Sequence, residues 1–203
     1  MKRYVAFLRG INSGGNQTVR MEVLRKIFED LGFKNVKTVL ASGNVIFETD
    51  TPDEKVVEQE IEGVLPGVIG FESTVIVRSI EDIQHLASLH PFVGFTSNPD
   101  NKFYVTFLQG TPETKLTFPA TGKGYTIVGI FGVAVCSVVD HSSAKTPNLM
   151  RVLDNEFGKG NTTRNWNTIE RLLKAAGRGL ISGGGRVKLA LSEGTGFREL
   201  NPN

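Results

Sequence analysis

Cysteine is almost absent. Cys136 is the single one in 203 residues, which excludes an intramolecular disulfide and any Cys-rich metal site. Histidine is scarce as well: His85, His90 and His141 lie too far apart for a His-x-x-x-His pattern, so neither a metal nor a cofactor is expected. An excess of one charge is missing, since 23 Lys and Arg face 21 Asp and Glu and leave a formal net charge of +2. A non-specific nucleic-acid or membrane binder carries a basic block or stripe, and there is none here. No apolar run reaches membrane-spanning length, and Met1-Lys2-Arg3-Tyr4-Val5 leads into a strand-like stretch in place of a signal core. These absences point to a cytoplasmic chain with no membrane contact. Cys136, inside the apolar run Val133-Ala134-Val135-Cys136-Ser137-Val138, reads as a buried structural thiol.

What is present is an ordinary globular balance, 39% hydrophobic and 22% charged, with enough chain to bury a core. Residues 4–8 read as a strand. A Gly- and Asn-rich loop follows, and then Val19, Val23, Leu24, Ile27, Phe28 and Leu31 recur at helical spacing up to Gly32, a C-cap residue. Two strands over 36–40 and 45–47 flank the turn Ser42-Gly43-Asn44, a helix runs from Pro52 to about residue 65, and residues 74–77 form a fourth strand. The order β-α-β-β-α-β is the split βαβ arrangement of ferredoxin-like folds.

After a linking helix near 81–89 the pattern restarts. Tyr104-Val105-Thr106-Phe107-Leu108-Gln109-Gly110 echoes Tyr4-Val5-Ala6-Phe7-Leu8-Arg9-Gly10 at five of seven positions. A short helix is predicted near 112–116, strands over 125–131 and 133–138, and a C-terminal helical region over 148–157 and 167–176, with Asn167 and Glu170 at capping-box spacing. The expected fold is therefore α+β, with two ferredoxin-like (α-β plait) halves of antiparallel sheet. The expected divisions are a first domain over 1–78, a second with its linking and C-terminal helices over 79–177, and a Gly-rich tail over 178–203, with a final strand over 187–191 as its alternative.

Three polar segments stand out. In Arg9-Gly10-Ile11-Asn12-Ser13-Gly14-Gly15-Asn16, between a strand and a helix, backbone N–H groups can turn toward an anion and Arg9 can fork onto a phosphate or carboxylate. The plain alternative is a turn needing positive φ, with Asn12 bonding its own backbone. Ala41-Ser42-Gly43-Asn44 is a hairpin connection that needs no ligand unless its end of the sheet meets the first loop. Lys145, with Gly158-Lys159-Gly160-Asn161-Thr162-Thr163-Arg164-Asn165-Trp166-Asn167-Thr168, offers hydroxyls, a guanidinium and an aromatic face; capping and core anchoring by Trp166 explain only part of that set. Asp140-His141-Ser142 places three hydrolase residue types side by side, where alternate side chains of an extended segment cannot form a relay. Glu58, Glu60 and Glu62 read as a solvated helix face.

Taken in order, Tyr4-Val5-Ala6-Phe7-Leu8-Arg9-Gly10-Ile11-Asn12 with Gly14-Gly15, Leu40-Ala41-Ser42-Gly43-Asn44-Val45-Ile46-Phe47, and Thr162-Thr163-Arg164-Asn165-Trp166-Asn167-Thr168 resemble the DUF1697 family of uncharacterised bacterial proteins, over about residues 1–176. The resemblance implies a pair of α-β plait domains and brings no activity, substrate or cofactor with it. Ser13 and Asn16-Gln17 depart from the family's pattern.

The functional expectation is binding of an anionic small molecule, such as a nucleotide or phosphorylated metabolite, through Arg9, Asn12, Gly14, Gly15, Ser42, Asn44, Lys145, Thr163, Arg164, Asn165 and Trp166. Two alternatives stand beside it. One is single-stranded nucleic-acid binding, suggested by Lys102-Phe103-Tyr104-Val105-Thr106-Phe107 on a plait sheet. The other is a non-catalytic interaction module, whose polar motifs would serve only the fold and lie far apart. No acid, base and nucleophile set can be nominated, and the oligomeric state is not readable.

Overall fold

The computed structural model describes residues 1–14, 18–96, 98–110, 112–132, 134–142 and 148–177. Gly15, Asn16, Lys145 and the tail over 178–203, with the strand predicted at 187–191, lie outside the described residues.

Alternation builds the first sheet. β1 (Lys2–Leu8), β2 (Lys34–Thr38), β3 (Asn44–Thr49) and β4 (Val75–Ser79) are arranged β2-β3-β1-β4, with every neighbour antiparallel. Period-two geometry sends Tyr4, Ala6 and Leu8 to one face, under α1 (Met21–Asp30) and α2 (Glu54–Ile69), and Val5 and Phe7 to the other. Leu24, Ile27 and Phe28 are the buried stripe of α1, and the chain leaves that helix through Gly32 at φ +86°. Asp53 caps α2 by accepting from the N–H groups of Lys55 and Val56.

The second sheet repeats this order. β5 (Asn101–Leu108), β6 (Ala120–Gly122), β7 (Tyr125–Phe131), β8 (Ala134–Asp140) and β9 (Asn161–Asn165) run β6-β7-β8-β5-β9, again antiparallel. Without the short β6, the order β7-β8-β5-β9 matches β2-β3-β1-β4. A helix follows the last strand in both: α3 (Ile80–Ser88) after β4 and α5 (Trp166–Ala175) after β9. α4 (Leu149–Phe157) precedes β9 as α2 precedes β4, burying Leu149 and Leu153.

The two sheets share one apolar layer. Val5, Phe7 and Ile76 meet Val105, Phe107 and Cys136, closed by α3 and α5. Phe7 stacks on Phe107 with centroids 4.2 Å apart and planes 15° apart. Each fully buried Phe contributes about 1.5–3 kcal/mol of transfer free energy, so this layer binds the two sheets together. Cys136 lies inside it, where burial pushes the thiol pKa up and leaves an unreactive group.

Four expectations need correction. Residues 112–116 form no helix: the segment is too short to nucleate one, and the Thr114 hydroxyl accepts from the Leu116 N–H at 3.0 Å. The C-terminal region is not purely helical, because Asn161–Asn165 pairs with β5 as an edge strand. The cap of α5 is Asn165, accepting from the Asn167 N–H at 2.9 Å, so Asn167 and Glu170 form no capping box. The solvated face expected of Glu58, Glu60 and Glu62 holds only for Glu60, which is exposed. Glu62, Glu58 and Glu54 accept from the N–H groups of Val75, Val77 and Ser79 at 2.8, 2.8 and 2.9 Å, sealing the outer edge of β4. Acids one helical turn apart meet alternate residues of a strand because two strand residues and one turn advance by similar lengths.

Candidate functional site

Three loop ends meet where β1, the β2–β3 turn and β9 come together. They line an open cleft of about 580 Å³, formed by Leu8 to Ser13, Ser42, Met150, Asp154 and Asn161 to Asn165, with Thr168. Of the nominated residues, Arg9, Asn12, Ser42, Thr163, Arg164 and Asn165 line it. Asn44 lies beneath, fully buried and bonded to Arg164. Gly14, at φ +98°, and Trp166 are not part of the lining. Trp166 turns away and meets Phe92 edge-on at 5.2 Å, so the anchoring explanation holds for it. The motifs that an interaction module would scatter are thus in one place.

Most of their polar capacity is spent internally. Asn12, at φ +53°, closes its loop by donating to the carbonyls of Val19 and Ala41 and accepting from the Val19 N–H. The Asn44 amide donates to Val39 O and Ser42 Oγ. Thr163 Oγ1 lies 2.9 Å from Thr106 Oγ1. Arg9 forks onto Asp154, reaching Oδ2 at 2.8 Å, and caps the carbonyls of Lys159 and Asn161. Hydrogen bonds from Arg9 hold the Asp154 carboxyl below the usual carboxylate range.

Arg164 is the centre of the arrangement and is 8% exposed. Its Nε donates to Asn44 Oδ1 at 2.6 Å, Nη1 to Thr162 Oγ1 and Thr163 O, and Nη2 to Leu8 O and Gly43 O. The guanidinium carbon also sits 5.6 Å from the Phe7 ring centroid. All five N–H groups of a guanidinium are therefore used. Every acceptor is neutral, and no carboxylate lies within ion-pair distance among the described residues. Burial accordingly pulls its pKa down to about 10. It remains a cation at neutral pH. The charged lining residues are Arg9, Asp154 and Arg164, so the cleft carries one uncompensated positive charge.

The repeated architecture supplies the comparison. Arg78 faces Val5 on β4 as Arg164 faces Val105 on β9. Arg78 Nη2 donates to Leu108 O, as Arg164 Nη2 does to Leu8 O, and Nη1 of each reaches the carbonyl one residue before it. The surroundings then diverge. Arg78 is ion-paired to Glu54 and Glu58, whose carboxyls burial pushes up. Its Nε has no acceptor among the described residues; Ala134 pairs with Phe107 where Asn44 pairs with Phe7. One arginine has carboxylates and lacks an amide; the other has the amide and lacks a carboxylate.

Residues 1–121 match the family described as "Protein of unknown function (DUF1697)". The chain belongs to this family. The DUF1697 match ends before the Thr162–Thr168 segment, which enters the site through the fold alone. No curated protein matches the sequence. A solved structure described as "The structure of conserved bacterial protein SP0830 from Streptococcus pneumoniae" aligns with a TM-score of 0.62 at 21% identity, covering 85% of this chain and 97% of that one. The likeness is one of fold.

Sequence reasoning missed Met150 and Asp154 in the lining. The pairing of Arg9 with Asp154 has no local signal, since the two are 145 residues apart. Among the described residues no group of three His, Cys, Asp or Glu side chains is placed to hold a metal ion, and no helix is long and apolar enough to cross a membrane. Phe103 and Phe107, nominated as a base-stacking platform, are packed on Phe92 and Phe7. A larger cleft of about 710 Å³ lies at the opposite end of β1, lined by Met1, Lys2, Arg3, Glu48, Glu54, Glu81 and Asp82 among others; its charges nearly cancel, and Arg3 is paired with Glu48.

Proposed function

We propose that the cleft between β1, the β2–β3 turn and β9 binds an anionic small molecule, the class that contains nucleotides and phosphorylated or carboxylated metabolites. The observation that carries this reading is Arg164, a buried cation surrounded only by neutral acceptors at the floor of an open cleft. In a medium of low polarisability an unneutralised charge attracts a counter-ion far more strongly than at the surface. The start of α5 adds to the effect: Asn165 and Thr168 line the cleft, where Ser79 and Asp82 occupy the matching places of α3. The first sheet's order and its two helices support a finer description of that unit as a ferredoxin-like plait; the second unit, divided from it near residue 78, has the matching strand order without a helix after its first strand among the described residues. No covalent chemistry is assigned; Arg9 and Asp154 are tied to each other.

Thermal shift against nucleotides, inorganic phosphate and small carboxylates at fixed ionic strength tests the proposal. A ligand at one hundred times its Kd stabilises by about 2.7 kcal/mol, which for a chain of this size raises Tm by about 5–10 °C. Thr168→Asp, which places a carboxylate in the cleft as Asp82 does beside the other sheet, should weaken the response about tenfold. A panel that leaves Tm unmoved in the parent protein overturns the reading.

A further inference from the structure

The two sheets differ at one place that says what kind of anion fits. Gln109 Nε2 donates to Glu62 Oε1 and to the carbonyl of Val75, and Arg9, at the matching place in the echoed strand, donates to Asp154 and to the carbonyl of Asn161. Glu62 of α2 and Asp154 of α4 are therefore counterparts. One helical turn earlier, Glu58 corresponds to Met150. The buried stripes agree, with Val57 and Ile61 matching Leu149 and Leu153.

Glu58 performs two tasks: Oε1 accepts from the Val77 N–H at 2.8 Å and pairs with Arg78 Nη1 at 3.3 Å. Thr163 is the counterpart of Val77, since Thr106 pairs with Thr163 as Ala6 pairs with Val77. The ladder has the same phase in both sheets, because Gln109 N donates to Gly160 O as Arg9 N donates to Thr74 O. The Thr163 N–H accordingly points outward from the edge of β9, as the Val77 N–H does from β4. A thioether at Met150 cannot act as the charged acceptor there. Met150 and Thr163 both line the cleft, and Met150 is 44% exposed, so the place is open to solvent.

We propose that the ligand's anionic group is a carboxylate that occupies the position of the Glu58 carboxylate, received by the Thr163 N–H beside Arg164. This rests on the anion-binding reading above and narrows it to molecules carrying a carboxylate. One outward N–H and one uncompensated charge match a monoanion; a phosphate dianion exceeds both. Leu8, Ile11 and Met150 supply the apolar part of the lining for the remainder of such a molecule.

The experiment is a ¹⁵N–¹H titration of the full chain with acetate and, separately, with inorganic phosphate at constant ionic strength, on the parent, Met150→Glu and Met150→Gln. The expected result is a saturable downfield movement of the Thr163 amide with acetate. It should be weakened more than tenfold in Met150→Glu, which brings its own carboxylate, and by several-fold less than that in Met150→Gln, which alters the same apolar lining without adding a charge. Acetate binding that moves Gly10, Ile11 or Ser42 and leaves Thr163 still overturns the inference, as does undiminished binding by Met150→Glu; the anion-binding reading survives both. Phosphate binding without acetate binding overturns the carboxylate assignment alone. Silence toward both, with no response in the wider thermal panel, removes both readings.

Discussion

Replacing Arg164 by methionine keeps much of the side-chain length and removes every donor. Five acceptors then lose their partner: the carbonyls of Leu8, Gly43 and Thr163, Asn44 Oδ1 and Thr162 Oγ1. An unsatisfied buried acceptor costs about 1–3 kcal/mol. The sum is an upper bound, because Gly43 O keeps its bond from the Leu8 N–H, and removing a buried charge relieves its desolvation cost. A net loss of about 3–5 kcal/mol is expected once that relief is set against the four acceptors left without a donor. At about 2–4 °C per kcal/mol, Tm falls by roughly 6–20 °C. Urea unfolding followed by far-ultraviolet circular dichroism measures it. Arg164→Lys, with three donors and the same charge, should fall between the two. Asn44→Ala shares the Nε bond, so the double mutant should lose less than the sum of the singles by about 1 kcal/mol or more. A methionine variant within about 1 kcal/mol of the parent, or strict additivity with Asn44→Ala, would refute the assignment of Arg164 as the tie between the sheets.

Gly43→Ala should cost about 2 kcal/mol or more, because φ is +69° and an added Cβ would stand 2.9 Å from Ile11 Cβ; chemical denaturation checks it, and a neutral result contradicts the packing of the hairpin turn under the first loop. Cys136 should resist a thiol reagent in the native protein and react at the rate of unfolding, as expected of a fully buried thiol whose pKa burial raises. Asp154 has its folded pKa depressed by Arg9, so its contribution is present above the unfolded carboxylate value near 3.8 and is lost as pH falls through the lower folded value. Asp154→Asn should flatten the acid limb of the stability profile in that window, and an unchanged limb would mean that the pair contributes nothing.

The parts of the fold legible beforehand were those in which apolar spacing is local. Tyr4 to Leu8 alternates, Leu24, Ile27 and Phe28 follow helical spacing, and the Tyr104 echo announced a second sheet built like the first. β9 was missed because its inward positions are Thr162 and Arg164, so the strand carries no apolar alternation. Glu58 and Glu62 were misread for a related reason: helix periodicity cannot say whether an acidic stripe meets water or the bare edge of a strand. Several of the nominated loop residues line one cleft, yet the interactions that distinguish Arg164 from Arg78 are tertiary. Met150 has meaning only once it is set against Glu58.

The Phe7–Phe107 stack joins equivalent positions of two strands that share five of seven residues. A surface that packs on its own counterpart is self-complementary in the manner of a twofold dimer interface. A chain holding a single such unit would therefore bury the same layer by pairing with a second copy of itself. Here the covalent link removes that association from concentration dependence. The two sheets need not be identical: one arginine has its carboxylates and the other faces an open cleft.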